Sequence, residues 1–317
     1  MNYCIYKMRF STPLHCGRGD GAVDLTNNAM TLKADTLFSA LCSEADISNC
    51  ADELISAFKN GDILLSDTFP FYDEQLYLPV PICPLKPDVK FDVGNRKKIK
   101  AVKWLPACDE AFSGFHNYIN SGNMFSTDNI KTSFAKQKTD AKNCIGSGND
   151  DTKPFDVSSI EFEDKCGLYG IIACSSQENA DMIISLLKRT GISGIGGQVS
   201  RGYGKFSLEL ISNDNEYAEF IINGLENDSS SFVLLTSSLP NENELEMCLE
   251  GAYFNLIRRG GLSYSLRGSM VKKHTQYYLS SGSVMKHRFS GDIYTVGKNE
   301  KHDIYRYSKP LLLGVNL

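Results

Sequence analysis

Residues 168–210 read LYGIIACSSQENADMIISLLKRTGISGIGGQVSRGYGKFSLEL, and this stretch decides the fold. LYGIIAC is a short apolar run of strand character. Ala180, Ile183, Ile184 and Leu187 then recur at helical spacing, and Lys188 and Arg189 suit the electronegative C-terminal turn, with Gly191 placed to end the helix. After GIGGQVSRGYG, Phe206, Leu208 and Leu210 alternate as a second strand. The order is therefore strand, helix, glycine-rich loop, strand.

Working outward, residues 3–10 alternate, with Cys4, Tyr6, Met8 and Phe10 on one side and Lys7 and Arg9 on the other, as in a strand with one buried face. KADTLFSAL at 33–41 places Ala34, Leu37, Phe38 and Leu41 on one helix face, with Asp35 available as N-cap. Leu54, Ile55 and Phe58 carry a second helical face up to Gly61. The βα…βαβ pattern suits a ferredoxin-like unit, and the fold class is α+β. Residues 76–85 carry Pro79, Pro81 and Pro84, which points to an edge strand or an extended connection. Residues 121–155 are polar and glycine-rich, the signature of a protruding hairpin whose length suggests a role. A second half begins near Ser231 with the strand SFVLLTSS, a helix expected over 241–259, and β segments at 276–279, 293–296 and 304–307. A length of 317 residues favours two domains, each with its own apolar interior, here 1–228 and 229–317.

The net charge of −5 is unusual for a free-standing nucleic-acid binder, but the charges are segregated. Seven Lys or Arg and no acid fall between 258 and 289, and four basic residues without an acid between 182 and 208. Arg96, Lys97, Lys98, Lys100 and Lys103 form a third acid-free cluster, whereas acids gather at 150–164, 209–228 and 242–250. Such segregation fits one RNA-facing surface and another that faces solvent or protein partners. Ten scattered cysteines without a C-x-x-C pair read as free thiols of a reducing cytoplasm rather than as a disulfide or zinc framework. The N-terminal apolar stretch is broken by Lys7 and Arg9, and no run approaches the ~20 apolar residues of a membrane span.

A dinucleotide-binding glycine motif follows a strand and opens a helix; here the order is reversed, which excludes that reading. Gly194, Gly196, Gly197, Gly202 and Gly204 would instead let backbone approach a phosphodiester chain, with Arg201 and Lys205 for charge and Ser200 as a hydroxyl donor. A plain tight turn explains the same glycines equally well. The His302–Asp303 pair lacks further metal ligands, and His15 has no evident partner acid, so hydrogen bonding or stacking fits it better than general-base work.

PLHCGRG at 13–19, KADTLFSAL at 33–41, GIGGQVSRGYGKF at 194–206, and RGG and GSV at 259–261 and 282–284 together resemble a RAMP-superfamily subunit of the type III-A CRISPR (Csm) effector complex. The member resembled caps the 5′ end of the guide RNA. The resemblance implies two RRM-like domains, a grip on the crRNA 5′ handle, and contacts with the large polymerase-like subunit and the neighbouring backbone RAMP subunit, with target RNA met only indirectly. It implies no cofactor and no cleavage. Carried onto this sequence, Gly196, Gly197, Ser200, Arg201 and Gly202 bind handle phosphates, and His15, Lys33 and Ser39 line the same groove. Lys205 adds charge, and Arg267, Lys272, Lys273 and His274 extend the groove into the second half. The 121–155 insertion corresponds to a thumb, with Phe134 or Ile145 as candidate wedge residues. Family loops often carry a basic residue where Gln198 and Val199 stand here. The rival within the superfamily is a metal-independent crRNA-processing endoribonuclease with His15 as base.

Overall fold

The computed structural model describes residues 1–17, 28–84, 102–113, 134–144, 153–212, 214–263 and 268–316. Its centre is a mostly antiparallel sheet built around two strands, β1 (Asn2–Phe10) and β8 (Cys166–Cys174), paired from Asn2↔Cys174 to Met8↔Leu168. On the far side of β8 lie β2 (Ile63–Leu65) and β3 (Phe69–Tyr72), and then β4 (Gln75–Pro79) and β5 (Trp104–Pro106) complete that wing. On the far side of β1 lies the edge strand β9 (Phe206–Leu210). All nine residues of β8 are buried, as a strand covered on both faces requires.

One face is covered by α1 (Ala34–Ile47), α2 (Ala51–Asn60) and α4 (Gln177–Ser193), which pack on Tyr6, Met8, Leu168 and Ile172. The other takes α3 (Asp109–Ser113), α5 (Glu216–Glu226) and a second sheet in which β10 (Ser231–Leu234) lies between β13 (Val284–Met285) and β16 (Leu312–Val315). Burial on both faces explains Lys7. Expected on a solvated face, it is fully buried, lies over the Phe71 ring at 5.3 Å, and reaches Glu74 at 2.9 Å. A long stem lets the ammonium leave an apolar layer for a partner at its rim.

The expected strand, helix and loop over 168–210 are present. Ser176 caps α4 by accepting from the Asn179 N–H, but the helix does not stop at Gly191. It runs two residues further because Gly191 faces inward, where a Cβ would sit 2.3 Å from the Phe206 carbonyl oxygen; Gly194 is the cap. Lys188 and Arg189 therefore lie before the last turn. β4 is not an edge strand: it is paired on both sides, and its proline, Pro79, stands at its end.

The second half departs further from expectation. Instead of a helix over 241–259, there is the five-residue α6 (Leu245–Leu249) followed by β11 (Leu256–Arg259), which pairs with β12 (Gln276–Leu279). Glu and Arg at opposite ends mimic a helix dipole pattern and the apolar spacing is helical, yet Gly251 turns the chain at φ +63° and the residues after it pair as a strand. The β segments at 276–279, 293–296 and 304–307 are β12, β14 (Ile293–Lys298) and β15 (Asp303–Tyr307). The halves do not keep separate interiors. Val233, Leu235, Leu311, Leu313 and Val315 join the core under the central sheet, and Ile293 and Tyr307 join the helix-side core; one smaller cluster, around Phe232, Met285 and Leu312, belongs to the second half alone. Among the described residues the second half forms short sheets rather than one sheet backed by two long helices.

Candidate nucleic-acid interface

The glycine-rich loop is anchored by the segment that follows β1. The Gly197 N–H donates to the His15 carbonyl at 2.8 Å, the Gly204 N–H to the Pro13 carbonyl at 2.8 Å, and the Lys205 N–H to the Thr12 hydroxyl at 2.9 Å. Two glycines are required by this closeness. At Gly196 (φ +91°) a Cβ would meet the His15 carbonyl oxygen at 2.4 Å, and at Gly204 (φ +72°) the Ile195 carbonyl oxygen at 1.9 Å. Gly202 differs: φ is +85°, but open space surrounds its Cβ position. The tight-turn explanation thus accounts for part of the glycine content, while the outer rim stays available. Gly196, Ser200, Arg201 and Lys205 are exposed; Gly197 and Gly202 are half-buried.

Arg201 is held rather than loose. Its guanidinium donates to Gln198 Oε1 at 2.8 Å and lies over the Phe155 ring at 5.5 Å. Gln198 sits in the left-handed region (φ +61°), and its side-chain oxygen orients Arg201.

His15 is buried, at 4% exposure, and its Nδ1 lies 2.6 Å from the Ser158 carbonyl oxygen. A carbonyl can only accept, so Nδ1 carries the proton. Nε2 faces Gly197, where a Cβ would be 3.4 Å away. The imidazole therefore ties β7 (Lys153–Phe162) to the loop, and nothing places it at a solvent-open reacting centre.

β7 and β6 (Ala135–Cys144) form a ten-pair antiparallel hairpin within and beyond the insertion noted in the sequence. Leu14 and Ile160 exchange backbone bonds of 2.8 Å at its root, and the Tyr203 hydroxyl reaches Asp140 at 3.5 Å. Phe134 is not a wedge tip: it is 1% exposed and stacks edge-on against Phe162 at that root, 5.7 Å between centroids. Its apolar neighbours are better partners for a phenyl ring than water is. Ile145, the alternative, lies outside the described residues, as do Arg267 and Arg96 to Lys100.

Lys33 and Ser39 belong to a buried polar seam at the start of α1. Between β2 and β3 the chain leaves β8, and the interruption presents Ser66, Asp67 and Thr68, all buried. The Asp67 carboxylate accepts from the Ala34 N–H at 2.9 Å, Lys33 Nζ at 2.9 Å, and the Ser237 N–H and hydroxyl at 3.1 and 2.6 Å. Asp67 thus does from a distance what Asp35 was expected to do as N-cap. Asp35 sits inside the first turn and takes a bidentate pair from Arg259 at 3.0 and 2.6 Å, with Arg306 Nε 3.8 Å away. Burial alone would raise its pKa, but the charge and hydrogen bonds of Arg259, then Lys273 and Arg306, hold it below the usual carboxylate value. Lys273, its pKa lowered chiefly by burial, donates to Ser39 Oγ at 3.3 Å. No sequence pattern announced Asp67 or Arg306, and Arg259 entered only within the RGG at 259–261; the interrupted pairing between β2 and β3 places Asp67, while β11 and β15 bring in Arg259 and Arg306.

Lys272, Lys273 and His274 do not share one surface. β11 and β12 continue past their ends as a ribbon, with Leu262 bridged to Lys272 and the Lys273 N–H donating to the Gly261 carbonyl at 2.9 Å. Extended-chain alternation turns Lys273 inward to α1 and leaves Lys272 and His274 exposed on the outer face.

Among the described residues no group of three or more potential metal ligands is gathered, and no helix is long and apolar enough to cross a membrane. Burial pushes the Cys16 thiol up to about 11, that of Cys42 up to about 12 and that of Cys174 up to about 11, which leaves them protonated near neutral pH.

Similarity to known proteins extends along the whole chain. Residues 227–315 match the family model described as the CRISPR Csm4 C-terminal domain. The chain is 28% identical over 293 residues to the CRISPR system Cms protein Csm4 of Mycobacterium tuberculosis, covering 92% of each. It is also 28% identical over 317 residues to that of Streptococcus thermophilus, covering 98% of each. Its fold is shared with a chain of the crystal structure of a Csm3–Csm4 subcomplex in the type III-A CRISPR-Cas interference complex, with TM-score 0.66, 17% identity and full coverage of both. A Csm1–Csm4 cassette crystallised with cA4 matches with TM-score 0.62 and 18% identity over 100% of this chain and 99% of the other. The chain is thus similar to the Csm4 C-terminal domain over its last part, to curated Csm4 proteins over nearly its whole length, and in fold to chains of Csm4-containing complexes.

Proposed function

We propose that the chain is a non-catalytic subunit of a cytoplasmic type III-A effector complex that grips the 5′ handle of crRNA and joins the large polymerase-like subunit to the backbone RAMP subunit. The observation that carries this reading is the exposed rim of the glycine loop. Ser200, Arg201 and Lys205 stand outward on a backbone fixed by residues 12–15, with Arg201 held ready by Gln198. Preset donors lose little entropy when a phosphate arrives. Lys33 and Lys273 are held on Asp67 and Ser39 in the buried seam at the start of α1 and lie outside this exposed rim. In this reading residues 1–228 act as one RRM-like unit, the β6–β7 hairpin serves as its thumb, and residues 229–317 form a reduced second unit docked through the common core. The partner assignment draws on relatives: Csm4 chains have been crystallised with Csm1 and with Csm3.

The test is handle-RNA binding by wild type and Arg201→Ala. Affinity should fall for every sequence tried, and the salt slope should drop by about one. The endoribonuclease alternative finds no support in the burial of His15, and incubation with repeat RNA settles it. Metal-independent cleavage lost in His15→Ala contradicts the scaffold reading; no cleavage by either protein agrees with it.

A further inference from the structure

The outer face of the β11–β12 ribbon is not part of the loop rim that carries the proposed RNA grip, and it holds a concentration of exposed apolar side chains. Leu256, Leu262, Met270 and Tyr277 are between 54 and 68% exposed, and Phe254 adds an aromatic edge. Arg258 is the cross-strand partner of Tyr277, and Lys272 and His274 stand exposed on the same ribbon. No Asp or Glu occurs anywhere from 251 to 291. The ribbon's inner face is already committed, through Arg259 on Asp35 and Lys273 on Ser39.

We infer that this outer face is a protein docking surface, whose occupant is an apolar patch edged by carboxylates on another protein subunit of the effector complex. Contiguous exposed apolar side chains on a folded chain mark contact surfaces, and Tyr, Met and Arg are the residues enriched at the centres of such contacts. Leu256, Leu262 and Met270 offer nothing to a phosphate or a base edge, which separates this face from the loop rim, where polar and charged groups dominate. Charge complementarity fixes the rim chemistry of the partner. Three basic side chains with no acid among them favour facing carboxylates, and they disfavour a two-fold contact with a second copy, which would set this cationic face against itself. The inference rests on the proposed membership of a multi-subunit complex, but it concerns a different surface from the one that holds RNA.

The experiment is co-expression of the tagged chain with the large subunit, the backbone RAMP subunit and crRNA, comparing wild type, Leu256→Asp/Met270→Asp and Arg258→Glu. Both altered chains should keep the wild-type thermal transition, because the residues are exposed. The double variant should recover one of the two protein subunits at least tenfold less well, and Arg258→Glu should weaken the same subunit in a salt-dependent way, while handle-RNA binding by the isolated chain stays at wild-type affinity. Wild-type ratios of both subunits in the double variant overturn the inference. So does loss of RNA affinity with both subunits retained, which assigns the ribbon to nucleic acid. Failure of the wild-type isolated chain to bind handle RNA counts against the proposed function and leaves the subunit readout to judge this surface.

Discussion

Replacing Asp35 by Ala removes a carboxylate that pairs bidentately with Arg259, lies 3.8 Å from Arg306 and is within electrostatic reach of Lys273. Asp35 and Arg306 are 9 and 1% exposed, so the charge lost with Asp35 cannot be replaced by water without opening the seam between α1 and the ribbon. Breaking a buried pair on one side costs about 3–5 kcal/mol, whereas exchanging both partners for apolar residues costs far less. At a slope of roughly 2 °C per kcal/mol for a chain of this size, the melting temperature should fall by about 6–10 °C in differential scanning fluorimetry. Asp35→Leu combined with Arg259→Met should cost at least about 1 kcal/mol less than the two single changes added together. The pH dependence has a definite sign. Because the carboxyl is held below its ordinary value of 3.8, the stabilisation is fully present above that value and fades as pH falls through the lower folded value. Asp35→Ala should therefore flatten the acid limb of the stability curve. A melting temperature within about 1 °C of wild type, or an acid limb unchanged by the substitution, would refute the reasoning.

Chemical denaturation should distinguish the loop glycines. Gly204→Ala places a methyl 1.9 Å from a backbone oxygen at φ +72° and should destabilise the fold by more than about 3 kcal/mol, or prevent folding. Gly202→Ala, with φ +85° and open space around it, should cost only about 1–2 kcal/mol. Phe134→Ala empties a buried aromatic site at the hairpin root and should cost about 3–5 kcal/mol, seen as faster amide exchange in β6 and β7. Lys272→Ala and Lys273→Ala should differ: the first leaves the melting temperature unchanged, while the second alters stability through its contact with Ser39 and the Asp35 cluster.

Residues 168–210 and the first strand were legible because their apolar spacing matches the period of the element they form and local chemistry agrees with it, from the Ser176 cap to the Gly61 terminus of α2. The misreadings share a cause. Lys7 lies on the strand face that a second layer covers, and that layer comes from segments far along the chain, α3, α5 and the sheet of β10, β13 and β16. The expected helix at 241–259 had suitable end charges, but its residues find strand partners at 276–279, some twenty positions downstream. Phe134 was read as exposed because a polar insertion surrounds it in sequence, whereas in space it meets Phe162. The loop rim was legible down to Arg201. The seam was not, since Asp67, Asp35, Arg259 and Arg306 come together only through a gap in strand pairing and contacts that span more than two hundred residues.

Fluorescence anisotropy of labelled handle RNA, titrated with wild type and Arg201→Ala across a series of KCl concentrations, tests the loop most directly. The account predicts weaker binding by the variant for handle and scrambled RNA alike, with the slope of log K against log salt reduced by about one. Equal affinities and equal slopes for the two proteins contradict it.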